Sequence, residues 1–384
     1  MSELIKTSRP NIRVSLLVTA SAMAILGFGC CSASASNADD RPTVWIELGG
    51  AWAHLSAGEE KFAPPFVLRT PRPTPETIDP LSVGHPPRSS FDKEGKITFE
   101  PNGSNWVFSA GVRYGRSNAD KHLRQQSPFL TQPLNAKTVA RFPYNFAPFF
   151  RNALQFIDTA QKNEETHAVV DFQAGKDVGL GMFDSNTTSV FSVGVRFAQF
   201  TSRTNVAFKS DPDAHVKYFQ YQSLHIPVGG VYHSYQAMAQ ARRSFLGVGP
   251  SLSWNASTPL MGTPNDAEIT IDWGASAAVL FGRQKARVHH QTTAHYHFGR
   301  YSAYNPPSTL YHIAPPDKER SRSVVVPNIG GFAGFSFSYA TGKVSLGYRA
   351  DFFFGAMDGG FDTHKSENRG FYGPFATISL GLGG

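Results

Sequence analysis

The chain has 384 residues, a formal net charge of +7, 35 glycines, 31 phenylalanines and only two cysteines. Lysine and arginine are scattered among aromatic and glycine-rich stretches instead of forming one basic face, which argues against a nucleic-acid partner. Beyond residue 29, no apolar run is long enough to cross a membrane as a helix.

The N-terminal segment has the three parts of a secretory signal peptide. Basic residues precede the apolar stretch 14–29, and Ala33-Ser34-Ala35 fits the cleavage pattern. We therefore predict a cleaved signal peptide at residues 1–35 and one mature domain at residues 36–384. A membrane anchor would need about 20 apolar residues, and Phe28 fits a lipoprotein attachment site at Cys30 poorly. Cleavage removes both cysteines, so the mature chain can form neither a disulfide nor a thiolate metal site.

The next elements along the chain are strands, because apolar residues alternate with small or polar ones at a period of two. The alternation is clearest at 106–114, 191–197, 269–281 and 344–354, and weaker at 44–54, 168–174, 246–254, 329–339 and 372–382. With a strand at Lys96 to Glu100, these segments give ten strands.

The connections between these strands alternate in length, as they do in a membrane barrel. Short turns are predicted at 101–103, 184–186, 259–266 and 341–342, and long extracellular loops at 56–94, 116–166, 204–242, 284–322 and 356–369. We predict an all-β, antiparallel transmembrane β-barrel of about ten strands with short periplasmic turns. Segments 231–242 and 285–297 either are separate strands, which gives twelve, or extend their neighbours.

A soluble sandwich or ligand-binding barrel is the alternative, and it would turn the apolar faces inward. Export and the charges on the small-residue faces favour the membrane barrel. Seven charged residues of both signs fall on the predicted lumen face: Glu47, Arg113, Asp171, Arg196, Asp272, Arg349 and Asp351. Such charges either set ion selectivity in a pore or pair across a narrow barrel and fill it.

Other chemistry finds little support in the sequence. His289, His290, His295 and His297 have no acidic partner among them, so we predict no metal site and no cofactor. No G-x-S-x-G element or other nucleophile set stands out, so we predict no enzymatic activity.

Three blocks carry a family resemblance: His167-Ala-Val-Val-Asp-Phe-Gln-Ala-Gly-Lys-Asp177 with Gly194-Val-Arg-Phe-Ala198, then Phe245-Leu-Gly-Val-Gly-Pro250, then Gly347-Tyr-Arg-Ala-Asp351. In these blocks the chain resembles pore-forming outer-membrane proteins of the Legionella major outer membrane protein type. The resemblance covers about half of the mature chain and implies a porin-like activity. The C-terminus departs from it, because 380–384 lacks the terminal aromatic residue that barrel-assembly machinery reads in many such proteins.

The sequence therefore predicts a Gram-negative outer-membrane protein for passive passage of small hydrophilic solutes or ions. The alternative is a structural or adhesive surface barrel with a closed lumen and partner-binding loops. Expected partners are outer-membrane lipid, lipopolysaccharide and the assembly machinery, and a homo-oligomer stays open.

Overall fold

The computed structural model describes residues 43–56, 61–62, 81–82, 89–101, 104–126, 155–178, 188–212, 218–221, 224–227, 231–262, 267–298, 308–314, 316–339, 341–359 and 365–382. The predicted signal peptide at 1–35 lies outside this part of the chain. Within these ranges, no helix is long and apolar enough to cross a membrane.

Ten long strands form the main sheet. They are β1 (Thr43–Ser56), β2 (Ser89–Glu100), β3 (Trp106–Gln126), β4 (Gln155–Asp177), β5 (Thr188–Pro212), β6 (Val231–Gly262), β7 (Ala267–Phe298), β8 (Lys318–Tyr339), β9 (Gly342–Asp358) and β10 (Ser366–Leu382). Shorter strands lie at Lys61–Phe62, Leu81–Ser82, Tyr218–Tyr221, Leu224–Pro227 and Ser308–Ile313. The last of these pairs with β7 at Thr292–His297.

The main sheet closes on itself. Each strand pairs antiparallel with the next one in the chain, and β10 pairs antiparallel with β1 from Val44 opposite Leu382 to Ser56 opposite Gly370. The predicted all-β barrel of ten strands is confirmed. Segments 231–242 and 285–297 extend β6 and β7, which have 32 residues each, so the count of twelve does not apply.

The two faces of the wall follow the predicted alternation. Phe197, Val248, Phe281 and Val325 lie opposite one another across β5 to β8, and all four are exposed on the outside. Ile269 begins the same outward stripe on β7 near the turn between β6 and β7. From Ile269 to Phe281 the strand rises about 40 Å, or about 30 Å of height at a tilt near 40°. This apolar belt matches the hydrocarbon core of a bilayer, and the soluble alternative with inward apolar faces is wrong.

The two ends of the barrel differ in the length of the connections between their strands. The strand ends that flank the short links lie at the end of the barrel that also holds Thr43 and Leu382, which we call the turn end: Glu100 and Trp106, Asp177 and Thr188, Gly262 and Ala267, Tyr339 and Gly342. The opposite end is the loop end.

The predicted long loops are partly wrong, because much of 116–166, 204–242 and 284–322 belongs to β3 to β8. Above the belt the outward residues become polar, so the contrast that marked the strands in the sequence is lost while the strands continue.

The lumen as the candidate functional site

A cavity of about 170 Å³ lies inside the barrel on the turn-end side. Six of the seven predicted lumen charges line it: Glu47, Arg113, Asp171, Arg196, Arg349 and Asp351. Glu94 and Lys96 of β2 complete its charged lining. Four acidic and four basic side chains therefore surround one small space.

Most of these charges are paired with another charge of the cavity, and two of the pairs cross the lumen. An Arg113 guanidinium nitrogen lies 2.6 Å from an Asp351 carboxylate oxygen, although β3 and β9 are not neighbours in the sheet. Arg196 donates from Nε to Asp171 at 2.6 Å. Arg349 pairs with Glu94, and its guanidinium carbon lies 4.9 Å from the centre of the Phe375 ring. The Arg113–Asp351 and Arg349–Glu94 pairs and the hydrogen bond from Arg196 to Asn328 join strands that are not neighbours in the sheet, so these side chains fill the lumen as well as lining it.

The seventh predicted residue, Asp272, lies apart from this cavity, nearer the turn end. Its carboxylate is 2.7 Å from the Lys343 ammonium and accepts hydrogen bonds from Ser257, Thr270 and Ser336. Asp272 is thus fully engaged in a local polar cluster between β6, β7, β8 and β9.

An apolar plug closes the lumen above the cavity. Inward-facing side chains from eight strands form one buried cluster: Leu55, Val169, Ala198, Phe200, Phe245, Ala278, Leu280, Val326, Phe353, Ala356, Met357 and Phe371. Phe200 is fully buried, and its ring centre lies 4.8 Å from that of Phe353 and 5.5 Å from that of Phe371. Aromatic pairs at these separations are well packed.

A buried hydrogen bond completes this level on the side of β2 and β4. The His167 Nε2 atom lies 2.9 Å from the Asp92 carboxylate, and Ser90 also donates to Asp92. The His167 ring packs on Phe371 at 4.2 Å. On this side, therefore, the plug packs against buried polar side chains that are hydrogen-bonded to one another.

A second charged layer lies above the plug, toward the loop end. Arg369 is fully buried and lies 2.8 Å from Glu165 and 3.2 Å from Glu367. Arg243, also fully buried, contacts the same Glu367 at 3.1 Å and donates to the Asp358 carbonyl oxygen. Two arginines thus share Glu367 across β4, β6 and β10.

A β-bulge places part of this layer. Gly355 has φ +66°, and the pairing of β9 with β10 shifts between Phe353 and Met357. Glycine adopts this conformation without the steric cost that a Cβ imposes. After the bulge, three successive residues, Ala356 to Asp358, are buried, which strict alternation would not allow. The bulge brings Met357 into the plug.

Of the four histidines considered as metal ligands, His289 and His290 have described side chains, and these lie on opposite faces of β7. His289 Nδ1 lies 2.7 Å from Asp317, whose pKa is lowered by hydrogen bonds from Arg287 and His289. The residues that the structure describes contain no group of three or more His, Cys, Asp or Glu arranged to hold a metal ion.

The plug, the upper charged layer, and Glu94 and Lys96 of the cavity were not predicted from the sequence. Phe200 and Phe245 face inward on β5 and β6, and Phe353 lies between the outward-facing Phe352 and Phe354. A pattern search that expects a single apolar face assigns the large apolar residues of each strand to the lipid, so it overlooks those that face inward. Glu94 and Glu165 fell in stretches predicted as loops. Large apolar residues in the inward phase were the available signal.

Ten antiparallel strands in a closed ring, an apolar outer belt and charges inside define a transmembrane β-barrel. No protein-family model matches the sequence, and no curated protein matches it either. The resemblance to the Legionella major outer membrane protein type therefore stays a prediction.

Several solved membrane barrels align along most of the chain. The transport unit of the autotransporter AIDA-I from Escherichia coli aligns over 94% of this chain and 97% of its own, at 8% identity and a TM-score of 0.21. The toluene transporter TodX of P. putida aligns over 90% of both chains, at 8% identity and a TM-score of 0.23. Outer membrane protease OmpT from Escherichia coli aligns over 91% of this chain and 99% of its own, at 8% identity and a TM-score of 0.21. Likeness this weak carries no argument about function.

Proposed function

We propose that the chain is an outer-membrane barrel with a lumen closed at rest, whose function lies in the surface that it holds outside the membrane. This is the second of the two functions that the sequence predicted. The observation that supports it is the apolar plug, since a passive pore needs a continuous water path. Apolar constrictions of this kind resist wetting even before their side chains touch.

The long wall on one side supports the same proposal. Strands β6 and β7 continue well past the belt, and the short strand Ser308–Ile313 widens the sheet there. A pore gains nothing from this projecting sheet, whereas a protein that presents a surface needs such a support.

Passive passage of small hydrophilic solutes or ions is the second candidate. The charged cavity favours it, because four acidic and four basic side chains surround a space that can hold several waters. Under this reading the plug must move, and the cavity charges would then act on the passing solute.

Conductance in planar bilayers separates the two candidates. The wild-type protein should show no steady channel current, while F200A/F371A should leak because two rings leave the plug. The matched control is F191A/F197A, which removes two rings from the lipid-facing side of β5. Heat-modifiable gel mobility checks that every variant is folded.

Steady unitary currents from the wild-type protein would overturn the closed-lumen proposal and favour the pore. In that case R196Q should change ion selectivity, because Arg196 borders the cavity. A leak of equal size from both double variants would mean that the plug is not the barrier.

The surface role has its own test. Deleting 57–88 or 127–154, while leaving the ten long strands intact, should abolish attachment of cells to a surface partner and leave the barrel folded. Outer-membrane location, signal cleavage before Ser36, and the lack of catalytic activity and cofactors belong to the same proposal. N-terminal sequencing of protein from purified outer membranes tests the first two.

A further inference from the structure

We infer that the outer wall carries a binding site for a lipid with more than one phosphate, on β5 to β7 just above the apolar belt. The inference rests on the proposed membrane location. It begins with the order of residues on the outward faces, which changes from apolar to basic within a few rungs of the sheet.

Successive outward rows show the change. The row Phe197, Val248, Phe281 is apolar; the next is Gln199, Leu246, Arg283; then Thr201, Ser244, Lys285; then Arg203, Arg242, Arg287. In the last row Arg242 lies directly opposite both other arginines. Each row is about 6.7 Å further along the strand, or about 5 Å higher at a tilt near 40°.

The height of these rows fits lipid headgroups. The polar region of a bilayer adds about 5 to 8 Å beyond the hydrocarbon on each side. Arg283, about 5 Å above the belt, therefore lies at the level of the phosphates in the leaflet. Lys285, about 10 Å above the belt, lies at the outer edge of the polar region, and the arginine row, about 15 Å above the belt, lies outside it. Cations spread over about 10 Å of height suit a headgroup with several phosphates better than a single one.

The patch has surplus positive charge. Like charges directly opposite one another destabilise a sheet, and of the three arginines in the row only Arg287 has acidic partners, Asp317 and Glu319. Glu164 lies opposite Arg203 but pairs with Lys162. Arg242 and Lys285 are exposed and have no partner among the described residues. A phosphate anion would relieve this repulsion, and guanidinium binds it in a bidentate manner.

The cations are clustered only on β5 to β7, whereas β2 and β3 each present one exposed cation in the rows of Arg283 and Lys285, namely Lys93 and Arg116. On β10 the outward residues above Tyr372 are Gly370, Asn368 and Ser366, which carry no charge. A general attraction to an anionic surface would not require this asymmetry. Hydroxyls of Thr201, Ser244 and Ser321 lie among the cations and can contact a sugar or glycerol backbone.

The test is a titration of the purified full-length protein in neutral detergent with a bis-phosphorylated glycolipid, followed by tryptophan fluorescence. The variant R242Q/K285Q should bind about 30-fold more weakly, since one basic residue near an anionic headgroup contributes about 1 kcal/mol. The control K93Q/R116Q removes two exposed cations from the outer faces of β2 and β3 and should bind as the wild type does.

Two further arms identify the source of the phosphate. The same glycolipid without its phosphates should bind poorly, and inorganic pyrophosphate should neither bind tightly nor compete. Equal loss in both double variants, equal binding of the dephosphorylated lipid, or tight binding of pyrophosphate alone would each overturn the site. None of these readouts depends on conductance, so a failure here is distinct from a failure of the closed-lumen proposal.

Discussion

Replacing Arg369 with methionine should strongly destabilise the barrel. The guanidinium is fully buried above the plug, 2.8 Å from Glu165 and 3.2 Å from Glu367. Methionine keeps much of the side-chain length and removes the charge. Glu367 keeps Arg243 as a partner at 3.1 Å, whereas Glu165 loses its ion pair with Arg369 while it stays buried.

The expected loss is about 3 to 5 kcal/mol of unfolding free energy, which is typical when one member of a buried pair is removed. Removing both charges is less harmful, because the cost comes from the carboxylate left behind. The double variant E165M/R369M should therefore lie within about 2 kcal/mol of the wild type. The order of stability is the essential prediction: the single variant lies below the double variant.

Urea unfolding in detergent micelles or lipid vesicles measures these differences, with tryptophan fluorescence and heat-modifiable mobility as two independent readouts. R287M is the matched control, because Arg287 also contacts two acidic residues, Asp317 and Glu319, but is solvent-exposed. It should change stability little. An R369M variant as stable as R287M, or a double variant less stable than R369M, would refute the reasoning.

Three further predictions follow from other parts of the barrel. V193R places a charge on the lipid-facing side of β5 and should cost about 2 to 4 kcal/mol in vesicles, whereas no loss would contradict a membrane belt there. G355A should cost about 1 kcal/mol because φ is +66°, and urea midpoints equal to those of the wild type would show that the bulge tolerates a Cβ. The contact of Asp317 with β7 should persist above the ordinary carboxyl pKa of 3.8 and weaken as pH falls below it, because Arg287 lowers the Asp317 pKa; hydrogen exchange of 316–319 measures this, and D317N should abolish the dependence.

The sequence was sufficient for the architecture because the lipid-facing side obeys a simple rule. Every outward position between Ile269 and Phe281 must be apolar or small, so the period of two is unbroken there, and strand number and parity follow from it. Outside the bilayer the rule lapses: Arg283, Lys285 and Arg287 keep the period but lose the apolar contrast. This is why β7 runs 32 residues where the sequence suggested about half that length.

The site could be predicted only in part, because inward residues obey no single rule. Arg196 and Asp351 were identified from charge on the small-residue face, and both border the cavity. Phe200 and Phe371 occupy the same inward phase, and only the closed ring brings these two residues, from β5 and β10, within 5.5 Å of each other. Pairing across the lumen depends on the stagger of the whole barrel, which single strands do not reveal.

The plug and the upper charged layer also explain how a barrel with strands of unequal length can hold together. Strands β9 and β10 end at Asp358 and Ser366, near the plug, while β6 and β7 continue past them. Above this level β7 pairs with β8 only as far as Val288, which lies opposite Lys318. Arg243 of β6 and Arg320 of β8 both bind Asp358, and Arg369 of β10 binds Glu165 of β4. These buried contacts tie the base of the projecting wall to the short strands, so closing the lumen and supporting the outer surface depend on the same residues.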